Sequence, residues 1–322
     1  MNTILDRSKI KRILVVSLSN LGDIILTTPV ISTLRHSFPD AHLSVVIGPK
    51  GRDLFQGSRT IDKVIIYDKK KMNLWEKFSW VIKLREEKYD LVIDLRNTLI
   101  PFLLGSRYRS AWWYSNEPVA MRDKHLFRLQ SIGIEHAAGS FDFFSPAERT
   151  SSYQKLTELG LRADRKMIAI APGAGSYLKR WDIEKFSELA RALFQDDRQI
   201  AIVGSASEKS LGDQIAQRVE ILNLCGILTV RELAACLSDV TLLISNDSAI
   251  MHLGNELNIP AVSIFGPTND QKYGKTSARN RIVRKNLNCT PCEKAHCRFE
   301  HQACLEDLSS DIVVSACQEL LR

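Results

Sequence analysis

Short continuous apolar runs alternate along this chain with longer segments whose apolar residues recur at helical spacing. Ile13–Leu18 opens the series and is followed by a turn at Ser19–Asp23 and a helical stretch over Ile24–His36. Next come His42–Ile47, a short helix near Gly51–Phe55, and Val64–Tyr67. A helix over Leu74–Glu87, with Leu74, Phe78, Val81, Ile82 and Leu84 at helical intervals, precedes another apolar run at Leu91–Asp94. Such runs, too apolar to alternate and separated by amphipathic helices, predict parallel strands covered on both faces. The pattern loosens over Trp112–Ser152 and restarts at Met167–Ala171. Ile200–Gly204, Thr241–Ser245 and Ala261–Phe265 continue it as strands, with helices over Ile183–Phe194, Glu208–Val219 and Val230–Leu237. Two α/β series with an irregular junction near residues 145–160 predict two doubly wound domains, 1–155 and 156–322, facing one another.

Size and composition agree with that division. The chain has 322 residues, more than one ordinary domain, and its 44% hydrophobic and 25% charged residues suit a globular protein with substantial cores. No run approaches the ~20 apolar residues of a membrane span, and the start lacks a secretion signal, so the expected address is the cytoplasm. The net charge of +7 is uneven: residues 1–155 carry 24 Lys/Arg against 16 Asp/Glu, a net of +8, and the remainder is close to neutral. A basic first half points to an anionic partner or to a merely solvated surface. No nucleic-acid-binding motif accompanies the charge, so nucleic acid is not expected.

Three loops follow predicted strands, where open α/β sheets bind ligands. In the first, Ser19-Asn20-Leu21-Gly22-Asp23, Gly22 permits a tight turn or close ligand approach. Asp23 is either a helix cap or a general base able to take a proton from an acceptor hydroxyl. In the second, Ala171 to Trp181, small residues expose backbone amides, Ser176 adds a hydroxyl, and Lys179 and Arg180 add positive charge for a diphosphate. Neither the Walker spacing nor the dinucleotide G-x-G-x-x-G is present. The third, Ser245 to His252, places Asp247 and Ser248 at a helix start, with His252 one turn beyond Ser248. The plainer reading of this loop is an N-cap followed by a core histidine.

The stretches SLSNLGDIILTTPVISTLR, PGAGSYLKRW and SNDSAIMHLGNELNIPAVSIFGPTN occur in that order. Together they resemble glycosyltransferase family 9, the ADP-heptose:lipopolysaccharide heptosyltransferases, over roughly residues 12–320. The resemblance implies a GT-B fold, two Rossmann-like domains facing across a cleft. It implies inverting, metal-independent transfer of a heptose or related sugar from a nucleotide-activated donor, ADP-heptose, to lipopolysaccharide core or a related anionic glycan. Asp23 then matches the catalytic base, Lys179 a cation on the donor phosphates, and Asp247 a donor-sugar contact with Ser248 and His252 beside it. Glu208 matches a nucleoside contact and Ser176 lies on the donor side. Gly22, Arg107 and Arg109 fall on the acceptor side. The sequence departs from the family at Ala249, where glycine is common, and at Trp112-Trp113-Tyr114. The implied acceptor, a membrane glycolipid, predicts peripheral association with the cytoplasmic face of the inner membrane. No D-x-D pair ends a predicted strand, which fits charge neutralisation by the protein and no cofactor requirement in catalysis. The competing readings are a non-catalytic sugar-nucleotide binding protein and a sugar-nucleotide epimerase.

Seven cysteines are an odd count for a disulfide framework. Cys289, Cys292, Cys297 and Cys304 form C-x2-C-x4-C-x6-C, which in a reducing compartment favours metal ligation over disulfides and reads either as a structural zinc site, with His296 and His301 leaving the ligand set ambiguous, or as four cysteines that merely pack or oxidise in a loop. Cys225, Cys236 and Cys317 read as small apolar residues.

Overall fold

The computed structural model describes residues 5–17, 20–110, 119–137, 139–217 and 219–322. The chain divides into two units, Met1–Phe143 and Phe144–Arg322.

In the first unit the elements run β1 (Arg12–Val16), α1 (Leu21–Ile25), α2 (Thr28–Ser37), β2 (His42–Ile47), α3 (Arg52–Phe55), β3 (Lys63–Ile66), α4 (Leu74–Glu86), β4 (Leu91–Asp94), α5 (Ile100–Leu104), β5 (Tyr108–Arg109) and α6 (Met121–Gln130). The strands form one parallel sheet in the order β3-β2-β1-β4-β5. Residues on both faces of β1, β2 and β4 are buried, which is why these strands read as continuous apolar runs. The order reverses between β1 and β4, so the loops leaving those two strands border the sheet's topological switch point. The helix expected from Ile24 starts earlier, at Leu21, behind the extended N-cap Asn20, and it ends at Ile25 before α2 begins.

The second unit begins with α7 (Pro146–Glu158) and continues β6 (Lys166–Ala171), α8 (Ile183–Leu193), β7 (Arg198–Ile202), α9 (Lys209–Ala216), β8 (Leu222–Asn223), α10 (Val230–Ser238), β9 (Leu242–Asn246), α11 (Ala249–Glu256), β10 (Ala261–Phe265), α12 (Asp270–Tyr273), β11 (Asn280–Arg284), α13 (Ala303–Glu306) and α14 (Ser310–Leu321). Its parallel sheet has the order β11-β10-β9-β6-β7-β8, with the switch point between β6 and β9. Helix α7 starts with a capping box between Ser145 and Glu148 and packs on α10. Lys155 donates to Glu232 at 2.7 Å and Arg231 to Glu148 at 2.5 Å. These pairs tie α7 to α10 within the second unit, and the division falls at Phe143/Phe144, ahead of the residue 155 read from the sequence.

The core of this unit gathers Ile168, Ile170, Phe186, Leu189, Ile200, Ile244 and Ile264 from the strands and α8, closed by Val313 and Cys317 of α14. Trp181 joins it and donates its indole N–H to the Leu308 carbonyl at 3.0 Å, which satisfies the ring's one polar atom.

Candidate functional site

The loops that leave β6 and β9 meet at the switch point of the second sheet. Asn246, the last residue of β9, is fully buried; its side chain donates to the Pro172 carbonyl at 2.7 Å and accepts from Trp181 N–H at 3.1 Å. One amide thus locks both ends of the Pro172–Trp181 loop to the neighbouring strand. Sequence reading passed over Asn246, whose only signal is a polar residue closing an apolar run.

Within that loop a short turn, Tyr177–Lys179, aims Lys179 at Asp247. The ammonium donates to Asp247 Oδ2 at 2.7 Å, with the Lys179 side chain 34% exposed and that of Asp247 only 4%. Of the three ammonium donors, one is spent on Asp247 and two remain for a ligand. Arg180, expected to add charge for a diphosphate, instead donates through Nε and NH2 to the Ala174 carbonyl at 3.1 and 3.0 Å. It braces the loop. Ser176 precedes the turn, makes no capping bond with its side chain, and is half-buried.

Ser248 is the N-cap of α11, yet its hydroxyl makes no capping bond and its Oγ is buried with no hydrogen-bond partner among the described residues. Buried hydroxyls are normally satisfied, so this one is free for an acceptor from outside the chain, beside the amides of a helix N-terminus. His252 lies one turn on, its N–H donating to the Ser248 carbonyl, and its ring is buried edge-on to Tyr273 at 6.4 Å.

Glu208 reaches the same loop from the end of β7. It closes a capping box, Oε2 accepting from Ser205 N–H at 2.7 Å and Ser205 Oγ at 2.8 Å, while its carboxylate lies against Gly173. A methyl group on Gly173 would fall 1.8 Å from Glu208 Oε1, so that approach needs glycine. The fold therefore brings together Ser176, Lys179, Glu208, Asp247, Ser248 and His252, which span residues 176–252 in sequence.

In the first unit, Gly22 and Asp23 occupy the first turn of α1 rather than the turn before it, with the Gly22 carbonyl accepting from Leu26 N–H at 3.1 Å. Asp23 is half-buried, and its carboxylate accepts no hydrogen bond from the described residues. It does not serve as the helix cap. Ser17, directly after β1, and Thr27, the N-cap of α2, share a buried hydrogen bond of 3.0 Å. Across the switch point Asp94 ends β4, accepting from Arg96 N–H at 2.8 Å and from the Thr98 N–H and hydroxyl. Burial outweighs those bonds and raises its carboxyl above the usual range. Arg107 lies over the Tyr108 ring and Arg109 over Phe102, at 5.4 and 4.8 Å. Trp112, Trp113 and Tyr114 lie outside the described residues.

The expected zinc site is not supported. Among the described residues no group of three or more His, Cys, Asp or Glu side chains could hold a metal ion. The four late cysteines line one cavity together with Leu178 and Pro267. Cys304, however, belongs to the core, where burial raises its thiol, and Cys297 is exposed. His301 is held by Asp307 and Glu306 at 2.5 and 2.6 Å, which raise its pKa. Core packing thus occupies Cys304, and ion pairing occupies His301. Cys225, Cys236 and Cys317 are buried among apolar side chains, and burial pushes each thiol up to about 12.

The family model for glycosyltransferase family 9 (heptosyltransferase) matches residues 78–303. Lipooligosaccharide heptosyltransferase 2 of Campylobacter jejuni is 26% identical over 315 residues, covering 94% of this chain and 96% of that one. The crystal structure of the glycosyl transferase family 9 protein from Veillonella parvula has a TM-score of 0.80 at 22% identity, covering 97% of both chains. That of the E. coli ADP-heptose lps heptosyltransferase II has a TM-score of 0.75 at 21% identity, covering 96% of this chain and 98% of the other. Two parallel-sheet α/β units and these superpositions give the GT-B fold. With the family model covering well over half of its length, this chain belongs to glycosyltransferase family 9, the heptosyltransferases, and is a glycosyltransferase.

Proposed function

We propose that this enzyme transfers a heptose, with inversion and without a metal ion, from ADP-heptose to lipopolysaccharide core or a related anionic glycan at the cytoplasmic face of the inner membrane. The observation that carries this reading is the Lys179–Asp247 pair beside the unpartnered Ser248 hydroxyl, on family motifs at the switch point of the second sheet. The names of relatives supply the substrate classes, since one is an ADP-heptose lps heptosyltransferase and another a lipooligosaccharide heptosyltransferase.

The bond between the sugar's anomeric carbon and the diphosphate oxygen breaks, leaving negative charge on ADP and positive charge on the sugar. The two free Lys179 donors, the amides at the start of α11 and the Ser248 and Ser176 hydroxyls receive the diphosphate. These groups supply the charge that a divalent ion supplies elsewhere. Asp247 fixes the ammonium through Oδ2, leaving its other oxygen for a sugar hydroxyl, with His252 behind it. Glu208 takes a nucleoside hydroxyl. The acceptor hydroxyl attacks the opposite face of the anomeric carbon, forming the new C–O bond as its proton passes to the Asp23 carboxylate. Gly22 admits the acceptor, and Arg107 and Arg109 offer charge to its anionic groups.

Transfer from ADP-heptose to a purified core acceptor, with and without a chelator, tests the reading. Asp23→Asn is expected to cut turnover about 10²- to 10⁴-fold while ADP still binds. Wild-type turnover by Asp23→Asn sinks the base assignment. Conversion of the donor with no acceptor present points to an epimerase instead.

A further inference from the structure

Helix α4 carries apolar residues on two faces. Leu84 and Trp80 turn toward the first sheet and pack with Val92, Ile100 and Leu104. Leu74, Trp75, Phe78 and Ile82 point elsewhere and are 82%, 82%, 62% and 43% exposed. At about 100° per residue these four fall within about 100° of helix circumference, so they form one stripe. Helix α5, packed beside α4, adds exposed Leu99, Phe102 and Leu103. Isolated exposed apolar residues are ordinary, but seven on neighbouring helices, two of them large aromatics on one stripe, are not.

The surroundings are basic. Residues 69–109 carry ten Lys/Arg against five Asp/Glu. Three of those acids are spent inside the unit: Glu87 on Arg12 and Lys63, Asp90 on the amides of Lys11 and Arg12, and Asp94 on its own loop. A fourth, Glu76, closes the capping box of α4 with Asn73. Lys69, Lys70 and Lys71 are all exposed immediately before the helix, and Lys83 and Arg85 are exposed along it. Both apolar segments follow the carboxyl ends of β3 and β4, the same edge of the sheet from which the Asp23 loop departs.

We infer that the α4–α5 face docks the enzyme on an anionic phospholipid bilayer, with Trp75, Phe78 and Leu74 entering the interface and the Lys69–Lys71 run meeting the headgroups. The chemistry selects this occupant: an aromatic and aliphatic stripe flanked by a cationic cluster suits a surface that is apolar inside and negatively charged at its rim. It rests on the proposed glycolipid acceptor only in explaining why docking is useful, since it sets Asp23's edge of the sheet toward the leaflet.

Sedimentation of the full chain with vesicles tests the surface without donor or acceptor, so its failure leaves the transfer reading standing. The chain is expected to bind phosphatidylcholine vesicles containing phosphatidylglycerol, to bind pure phosphatidylcholine much more weakly, and to be released by salt. At about fivefold per lysine, replacing Lys69, Lys70 and Lys71 by alanine is expected to weaken binding about 100-fold. Trp75→Ala with Phe78→Ser is expected to weaken it at least about tenfold, with unchanged melting because both side chains are already exposed. Equal binding of both vesicle types, or wild-type binding by both variants, overturns the inference. So does a wild-type dimer that the apolar variants convert to monomer, because the stripe would then be a self-association surface.

Discussion

Replacing Lys179 by alanine separates a structural role from a donor-binding one. The lysine donates to Asp247 at 2.7 Å, and Asp247 is only 4% exposed, so its removal leaves a carboxylate with little access to water. Breaking a fully buried pair costs about 3–5 kcal/mol; with Lys179 34% exposed, water enters more easily and about 1–3 kcal/mol is expected. For a unit of this size that lowers the melting temperature by about 3–10 °C. The remaining two ammonium donors set the functional cost. Hydrogen bonds between charged groups contribute about 1.5–3 kcal/mol, so ADP should bind about 10- to 150-fold more weakly. Adding Asp247→Asn removes the stranded charge and should return most of the lost stability, since the two positions share one interaction. It should not return ADP affinity. Calorimetric titration with ADP and thermal melts on the wild type, both single variants and the double variant complete the cycle. If the double variant recovers ADP binding together with its melting temperature, Lys179 only maintains the loop and the phosphate assignment is wrong.

Two further outcomes follow from the same geometry. Gly173→Ala would place a methyl group 1.8 Å from Glu208 Oε1 and so swing that flexible carboxylate away, breaking its capping box with Ser205; stability should fall by about 1 kcal/mol, and ADP affinity about tenfold if Glu208 contributes one hydrogen bond to the nucleoside. An unchanged ADP titration removes Glu208 from the site. His125 on α6 is held down to about 3 by burial, reinforced by the charges of Arg128, Arg96 and Lys124. Between about pH 6.5 and 3 the unfolded chain therefore binds a proton that the folded chain refuses, and stability falls as the pH is lowered. At about 1.4 kcal/mol per pH unit, the first unit should lose about 2 kcal/mol between pH 6.5 and 5, and His125→Leu should flatten that slope in denaturant melts followed over this range.

The strands were legible because parallel sheets bury both faces, which leaves apolar runs such as His42–Ile47, Leu91–Asp94 and Ala261–Phe265 unbroken in the sequence. The donor-side residues were legible because small residues, a lysine and polar groups follow strand ends, where such sheets bind ligands. What the chain alone could not convey was which strands are neighbours. The loops after β6 and β9 are separated by some seventy residues, and only the order β9-β6 brings Lys179 to Asp247 and Asn246 to Pro172. At the late cysteines, C-x2-C-x4-C-x6-C suggests a metal site, but no metal-holding group forms among the described residues and Cys304 belongs to the core cluster that includes Leu305 and Trp181. Helical periodicity grouped Leu74, Phe78, Val81, Ile82 and Leu84 on α4 without revealing that Leu84 faces the sheet while Leu74, Phe78 and Ile82 stay exposed. Local pattern fixes which segments bury their surfaces, because burial is a property of each side chain; which partners they meet depends on the order of strands, and that is set only when the whole sheet closes its hydrogen bonds.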